Sequence, residues 1–280
     1  MAILKENAYG KSRVRLTKVV RNGAHHELFE MSVDILLTGD FAASYTAGDN
    51  TKVIATDSMK NTVYVLAKEK SFSSIEEFAI QLARHFTQTY KQVHSASIRI
   101  KQSNWQRLQD QHRPHSHAFI DGGSELRTCR AELKANKLDL SGGLSNFRFL
   151  KTTASEFRDF VDDRYRTLKD ATDRIFATSV EADWAYNSET ADFNKTFASA
   201  RSAIVQTLAN HHSLAAQQTL LAAGEAVLKD CLSLRSIRIT MPNLHRIPVN
   251  LQPFGLDNNN EIFVPIDEPH GTISGYIERE

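Results

Sequence analysis

The stretch Val53–Thr62, VIATDSMKNT, places a hydroxyl and a carboxylate side by side at Thr56-Asp57, directly after a short apolar run. Two chemistries fit that pair. It can open a helix, because short oxygen-bearing side chains accept the first free backbone N–H groups. It can instead face something that needs a hydroxyl. Other groups with chemical potential are Lys11 in Tyr9-Gly10-Lys11, the Asp173-Arg174 pair, Gln217, and the Asn243 and His245 of Pro242-Asn243-Leu244-His245. Taken singly, each has an ordinary explanation. Lys11 reads as a surface lysine after a turn. Arg174 reads as a cation near a helix C-terminus. Gln217 sits early in a helix, and Pro242-Asn243 reads as a strand terminator.

Eleven histidines raise the question of a metal. His115 and His117 would share a strand face with His112 nearby, and His25-His26 and His211-His212 are pairs. Metal sites add carboxylate or thiolate ligands at set spacings. Here the pairs are scattered and the cysteines isolated, so the reading is no metal. Walker loops, Gly-x-Gly-x-x-Gly, His-Glu-x-x-His and Gly-x-Ser-x-Gly are all absent. That removes the common nucleotide and hydrolase signatures.

The 280 residues suit one or two domains. A content of 41% hydrophobic and 24% charged residues is ordinary for a soluble globular chain. A net charge of +1, from 34 basic and 33 acidic side chains, argues against a nucleic-acid surface or a polybasic membrane patch. Two cysteines, Cys129 and Cys231, without a Cys-x-x-Cys, fit a reducing compartment and buried thiols. The N-terminal stretch lacks the apolar core of a signal peptide, and no run approaches the roughly 20 apolar residues of a membrane span. The ending YIERE is not a peroxisomal address. A cytoplasmic protein is the expectation.

The elements that would position these groups begin with a hairpin. Val14, Leu16 and Val20 alternate with polar residues, Arg21-Asn22-Gly23 reads as a turn, and Phe29, Met31, Val33, Ile35 and Leu37 share one strand face. Residues 50–69 are ambiguous between helix and strand. Ile75 to Tyr90 carries helical spacing after a capping sequence at Ser73-Ser74 with Glu76-Glu77. Ala96, Ile98 and Ile100 alternate as a strand, with His115–Ile120 returning beside it. Asp121-Gly122-Gly123 reads as a turn, after which the order restarts. Strands are expected over 125–134 and 137–150. Helices are expected from Phe157 through Ile175, from Phe193 through Leu208 and over 213–232. Strands follow at Ile237–Met241 and Ile262–Val264. The prediction is α+β: two halves, 1–123 and 124–280, each an antiparallel sheet covered by helices on one face. A sheet covered on one face only leaves the other to associate, so an oligomer is expected.

Read as a set, Lys11, Thr56, Asp57, Phe157, Arg174, Gln217, Asn243 and His245 come from element ends in both halves. Together with TAGDNTKVIATDSMKNTVYVLAK (46–68), RYRTLKDATDRIFATSV (164–180), AAQQT (215–219), MPNLH (241–245) and EIFVPIDEPHGTI (261–273), they resemble the urate oxidase (uricase) family nearly end to end. The resemblance implies two tandem T-fold (tunnelling-fold) domains. It also implies a urate:oxygen oxidoreductase that converts urate and dioxygen to 5-hydroxyisourate and hydrogen peroxide in purine degradation, with no cofactor. Phe157 would be the stacking platform, with Arg174 gripping one edge of the purine and Gln217 the other. Backbone N–H groups of Asp57 and Ala216 would complete the ring contacts. Ala216 stands where relatives commonly carry a bulkier side chain. Lys11 and Thr56 would form a proton-moving dyad, His245 the third member of the relay, and Asn243 would hold dioxygen and then water. The family implies a homotetramer with sites shared between subunits. The interval Trp184–Phe197 is shorter than in eukaryotic relatives, which with the missing peroxisomal ending suggests a bacterial enzyme. The rival readings are another T-fold enzyme acting on pterins or related purine-like rings, several of which use zinc, and a non-catalytic purine-binding or structural tunnel protein.

Overall fold

In a computed structural model, which describes residues 2–280 apart from the Asp267 side chain, the chain forms two compact units. Unit one comprises residues up to Gly143 together with Ala185–Lys195, and unit two comprises Leu144–Trp184 and Thr196–Glu280.

Unit one opens with β1 (Tyr9–Asn22) and β2 (His25–Gly39). They are joined through Gly23 at φ 59°, a left-handed turn position that glycine adopts without strain. Three helices follow: α1 (Ala42–Thr46), α2 (Thr56–Glu69) and α3 (Ile75–Thr89). Strands β3 (Val93–Asp110) and β4 (Arg113–Lys134) complete the run. Each strand pairs antiparallel with its chain neighbour from β1 to β4. The alternation in β2 does what its pattern requires: Phe29, Met31, Val33, Ile35 and Leu37 are all buried. Their cover comes from α2 packed on β1 and from α3 packed on β3 and β4. The α3 start is a variant of the capping box, its return bond reaching the residue before the N-cap. Ser74 accepts from the Glu77 N–H at 3.2 Å, and Glu77 accepts from the Ser73 N–H at 2.7 Å. The opposite sheet face is polar, with Arg15, Thr17, Glu30, Ser32, Asp34 and Lys101 around an open cleft of about 810 Å³.

β5 (Lys137–Lys151) leads into unit two, followed by β6 (Phe176–Tyr186), α4 (Phe193–Asn210), α5 (Ala216–Asp230), β7 (Leu234–Pro248) and β8 (Phe263–Glu278). β7 and β8 pair antiparallel, and α5 packs on both. The helix rides close to the sheet because Gly224 has no side chain. A Cβ there would stand 2.7 Å from Ile277 Cδ1. Ala216, Leu220, Ala223 and Val227 form the buried stripe at helical spacing. The element order, two strands, helices, two strands, thus occurs twice, as the sequence predicts. It restarts in the turn at Ala135-Asn136, between β4 and β5.

Four local expectations are corrected. Asp121-Gly122-Gly123 lies inside β4, where Asp121 pairs with Trp105 across a register shift. The turn residues therefore mark an irregular ladder and not a chain reversal. The helix expected over 157–175 is absent, and that segment is an irregular loop. Its apolar residues found no core: Val161, Tyr165 and Leu168 are 81%, 75% and 58% exposed. Without such packing a helix of this length is marginal, and left-handed residues at Ala154 and Asp159 break any helical run near its start. β6 was missed although Phe176, Thr178, Val180, Ala182, Trp184 and Tyr186 alternate inward. Pro242 does not end its strand, because β7 continues to Pro248. Both cysteines are free and buried, as expected. Among the described residues, no helix is long and apolar enough to cross a membrane.

Candidate active site

Lys11 is placed by a bulge. Lys11 pairs with Ile35 and Val14 with Val33, so two residues of β1, Ser12 and Arg13, stand opposite the single Asp34. The Arg13 N–H donates to Asp34 Oδ1 at 2.6 Å, with Arg13 at φ 59°. Directly paired residues share a sheet face. Tyr9 pairs with Leu37 and Lys11 with Ile35, so both lie on the helix-covered face, alongside α2. Gly10 permits this close approach: a Cβ there would fall 1.8 Å from the Ile35 carbonyl oxygen. Among the described residues Lys11 Nζ has no hydrogen-bond or ion-pair partner.

Thr56 opens α2 but does not cap it. Ala55 occupies the N-cap position and its carbonyl accepts from Met59 N–H at 3.1 Å. The Thr56 hydroxyl has no partner among the described residues. The Asp57 carboxylate turns along the helix to Lys60 (2.6 Å) and Asn61 (3.0 Å). The Lys60 contact holds its pKa below the ordinary carboxylate range, with a small contribution from Lys11. What Asp57 presents at the helix start is therefore its backbone N–H. The first N–H groups of a helix lack intrahelical acceptors and favour an anion.

Unit two assembles the other group. The backbone of Phe157 exchanges hydrogen bonds with Ala171 at 2.8 and 2.9 Å, and the Arg174 N–H donates to Ser155 O at 2.8 Å. These ties bring Arg174 over the Phe157 ring, with the guanidinium carbon 5.0 Å from the centroid. Phe160 stacks against Phe157 at 4.6 Å and 13°. Burial lowers the pKa of Arg174, yet a guanidinium stays charged. Its Nε is buried with no hydrogen-bond partner among the described residues. A buried cationic donor without an acceptor is rare enough to require an explanation.

The start of α5 separates two adjacent amides. Gln218 Oε1 accepts from the Leu214 N–H at 3.2 Å and so closes the helix terminus. Gln217 is exposed and its amide has no partner among the described residues. Ala216 is the first helical residue, so its N–H is one of those left without an intrahelical acceptor. On β7, Asn243 Nδ2 and His245 Nδ1 lie 3.5 Å apart, both half-buried. Opposite them β8 leaves the ladder: residues 267–270 stand against the single residue Leu244, and the Glu268–Pro269 peptide is cis.

Lys11, Thr56 and Asp57 thus belong to unit one, and Phe157, Arg174, Ala216, Gln217, Asn243 and His245 to unit two, where the structure pairs Phe157 with Arg174 and Asn243 with His245. Two contributors escaped the sequence reading. One is the Tyr9 hydroxyl, which accepts from Ile54 N–H at 2.8 Å; the Tyr-Gly-Lys spacing was the available signal. The other is Glu156, bonded to His212 at 2.7 Å, and nothing in the spacing of those two residues announces it. Among the described residues no group of three or more His, Cys, Asp or Glu is placed to hold a metal ion.

The antiparallel sheet, the helices on one face and the doubled element order define a tandem T-fold protein. The uricase family model matches residues 7–132 and 140–274, leaving unmatched only the β4–β5 turn region and the two ends. The chain is 43% identical to uricase from Arthrobacter globiformis, over 99% of this chain and 90% of that protein. It is 34% identical to uricase from Dictyostelium discoideum, over 100% and 98%. The crystal structure of the Arthrobacter globiformis uricase superposes with a TM-score of 0.95 at 42% identity, covering 100% of this chain and 96% of that one. The chain belongs to the uricase family, and with it to the oxidoreductases.

Proposed function

We propose that the protein oxidises urate with dioxygen to 5-hydroxyisourate, releasing hydrogen peroxide. The observation that carries this reading is Arg174: a half-buried guanidinium whose Nε is buried and orphaned, set over an aromatic face and in the same unit as an unpartnered Gln217 amide. A flat anionic purine satisfies all three. Its ring stacks on Phe157. A carbonyl and ring nitrogen on one edge accept from the Arg174 fork. Gln217 both donates and accepts at the opposite edge, so a ring lacking either partner is rejected. The N–H groups of Asp57 and Ala216, at two helix starts, add donors to the anion.

In this reading the deprotonated purine gives two electrons to dioxygen, which leaves as hydrogen peroxide, and water supplies the new hydroxyl. Lys11 takes up and returns protons through the Thr56 hydroxyl, and His245 passes them onward. Asn243 holds dioxygen and then water above the ring. The chain's work is placement, stabilisation of the anion and proton movement. No metal or flavin takes part, a feature taken from the family resemblance.

The two residue groups are proposed to meet between neighbouring copies of the chain, Lys11, Thr56 and Asp57 from one and the remainder from the other, in a cytoplasmic homotetramer. The halves of the T-fold repeat, expected to divide at 123, meet in this reading at the β4–β5 turn, where the element order restarts. The deciding experiment is urate consumption by chelator-treated protein, followed by loss of ultraviolet absorbance together with peroxide. Matching loss and release is expected. Activity that returns only with added metal overturns the reading. Lys11→Met is expected to bind urate while turnover falls by about 10²–10⁴-fold, the range of general acid–base catalysis.

A further inference from the structure

We propose that Glu156 is a positioning residue that sets the distance between the Phe157 ring and the start of α5, acting through His212. The inference rests on the function proposed above, with Phe157 as platform and Ala216-Gln217 as the facing edge.

Residues 154–158 belong to no regular element. Ala154 and Asp159 bracket them at φ 58° each, so neither a helix nor a ladder fixes the position of Phe157. Tethers do. On one side Phe157 is bonded to Ala171. On the other, the segment runs parallel to the residues leading into α5: Ser155 bridges Ser213, Glu156 N–H donates to Ser213 O at 2.7 Å, and Ser213 N–H donates to Ala154 O at 3.0 Å. Side chains alternate along an extended segment, so Glu156 and Arg158 point away from the side that Phe157 occupies.

Glu156 uses both oxygens. Oε1 meets His212 Nε2 at 2.7 Å and Oε2 accepts from Arg158 Nε at 2.7 Å. Its side chain is 13% exposed, far less than His212 at 57%. The carboxylate is thus packed into the seam between the two segments. His212 lies four residues ahead of Ala216. Its neighbour His211 is anchored in turn, with its carbonyl accepting from Lys151 Nζ at 2.5 Å and its Nδ1 3.0 Å from Thr219 Oγ1, inside the first turns of α5. The contact therefore links the aromatic platform to the helix start through short, charge-assisted bonds. A stacking site tolerates roughly 0.5 Å of displacement, and one carboxylate at this seam supplies that precision.

The test compares Glu156→Ala, His212→Ala, the double variant and Glu156→Gln. The first readout is amide hydrogen exchange at Glu156, Phe157 and Ser213, which needs no substrate. Loss of a charge-assisted bond is expected to speed exchange by about tenfold in either alanine variant, no further in the double, and little in Glu156→Gln, which keeps an acceptor. The second readout is steady-state urate oxidation, where KM is expected to rise about tenfold in the alanine variants with kcat within about twofold. Unchanged exchange, or additive effects in the double variant, overturns the positioning role. A wild-type protein that consumes no urate overturns the proposed function, and the exchange data still decide the link.

Discussion

The Tyr9 hydroxyl accepts a hydrogen bond from the Ile54 N–H at 2.8 Å and lies 3.3 Å from the Ile54 carbonyl, joining β1 to the chain two residues before Thr56. The ring stands edge-on to Phe41 at 4.8 Å. Burial raises the Tyr9 pKa, so the phenol keeps its proton. One side chain therefore locks Lys11, two residues along β1, beside the helix that carries Thr56. Tyr9→Phe leaves the N–H of buried Ile54 without its acceptor, at a cost of roughly 1–3 kcal/mol. The urea midpoint is expected to fall accordingly, and turnover to fall more than urate affinity.

The adjacent glutamines separate function from stability. Gln217→Ala is expected to raise the KM for urate by about tenfold or more without moving the unfolding midpoint. Gln218→Ala removes the acceptor of Leu214 N–H and is expected to cost about 1 kcal/mol in stability while leaving KM near wild type. Kinetics and urea titration on the two variants check this. Reversed outcomes would place the substrate amide at 218.

A buried ion pair fixes the segment 185–195 within unit one. Glu76, fully buried, accepts from Arg127 Nη2 at 2.7 Å, Arg127 Nε at 3.3 Å and the Tyr186 hydroxyl at 3.3 Å. Arg127 also donates to Asn194 Oδ1 at 2.7 Å, and Asn194 donates to Ser73 O at 2.9 Å. Arg127→Met strands a buried carboxylate and is expected to destabilise by about 3–5 kcal/mol. Pairing it with Glu76→Leu should recover most of that loss, because the stranded charge is gone. Chemical denaturation of the single and double variants measures both.

Glu156 carries a pH signature. Its pKa lies below the ordinary range, first through His212 and then through Arg158. Its stabilisation is therefore complete above the unfolded glutamate value of about 4.3. That contribution disappears as pH falls through the lower folded value. The stability advantage of wild type over Glu156→Gln should be flat from about pH 5 to 8 and shrink below about 4. Urea midpoints of both proteins across that interval test the sign.

The legible parts of this chain were those where burial and local pattern agree. The inward alternation of β2 and the Ser74–Glu77 capping box are local facts that packing reinforces. The 157–175 loop failed because helical spacing there was coincidental, with Val161, Tyr165 and Leu168 left in solvent and the backbone held by bridges to residues elsewhere in the chain. Pro242 misled because a missing donor can be tolerated inside a strand next to a break in the partner's ladder, here residues 267–270 of β8. At the candidate site, residue types were readable from the family resemblance. The contacts that hold them, Tyr9 to Ile54 and Glu156 to His212, join positions 45 and 56 residues apart, where no local rule reaches.

The bulge in β1 makes the N-terminal strand a counting device. Side chains alternate with period two, so the extra residue opposite Asp34 decides which way everything before it points. If the same residues paired in a regular ladder without the bulge, Lys11 would fall opposite Leu36 and Tyr9 opposite Thr38, which would turn both onto the open, polar side of the sheet. Every chemical group would still be present in the chain, and its composition unchanged. Lys11 would have lost its neighbour at the head of α2 through arithmetic alone.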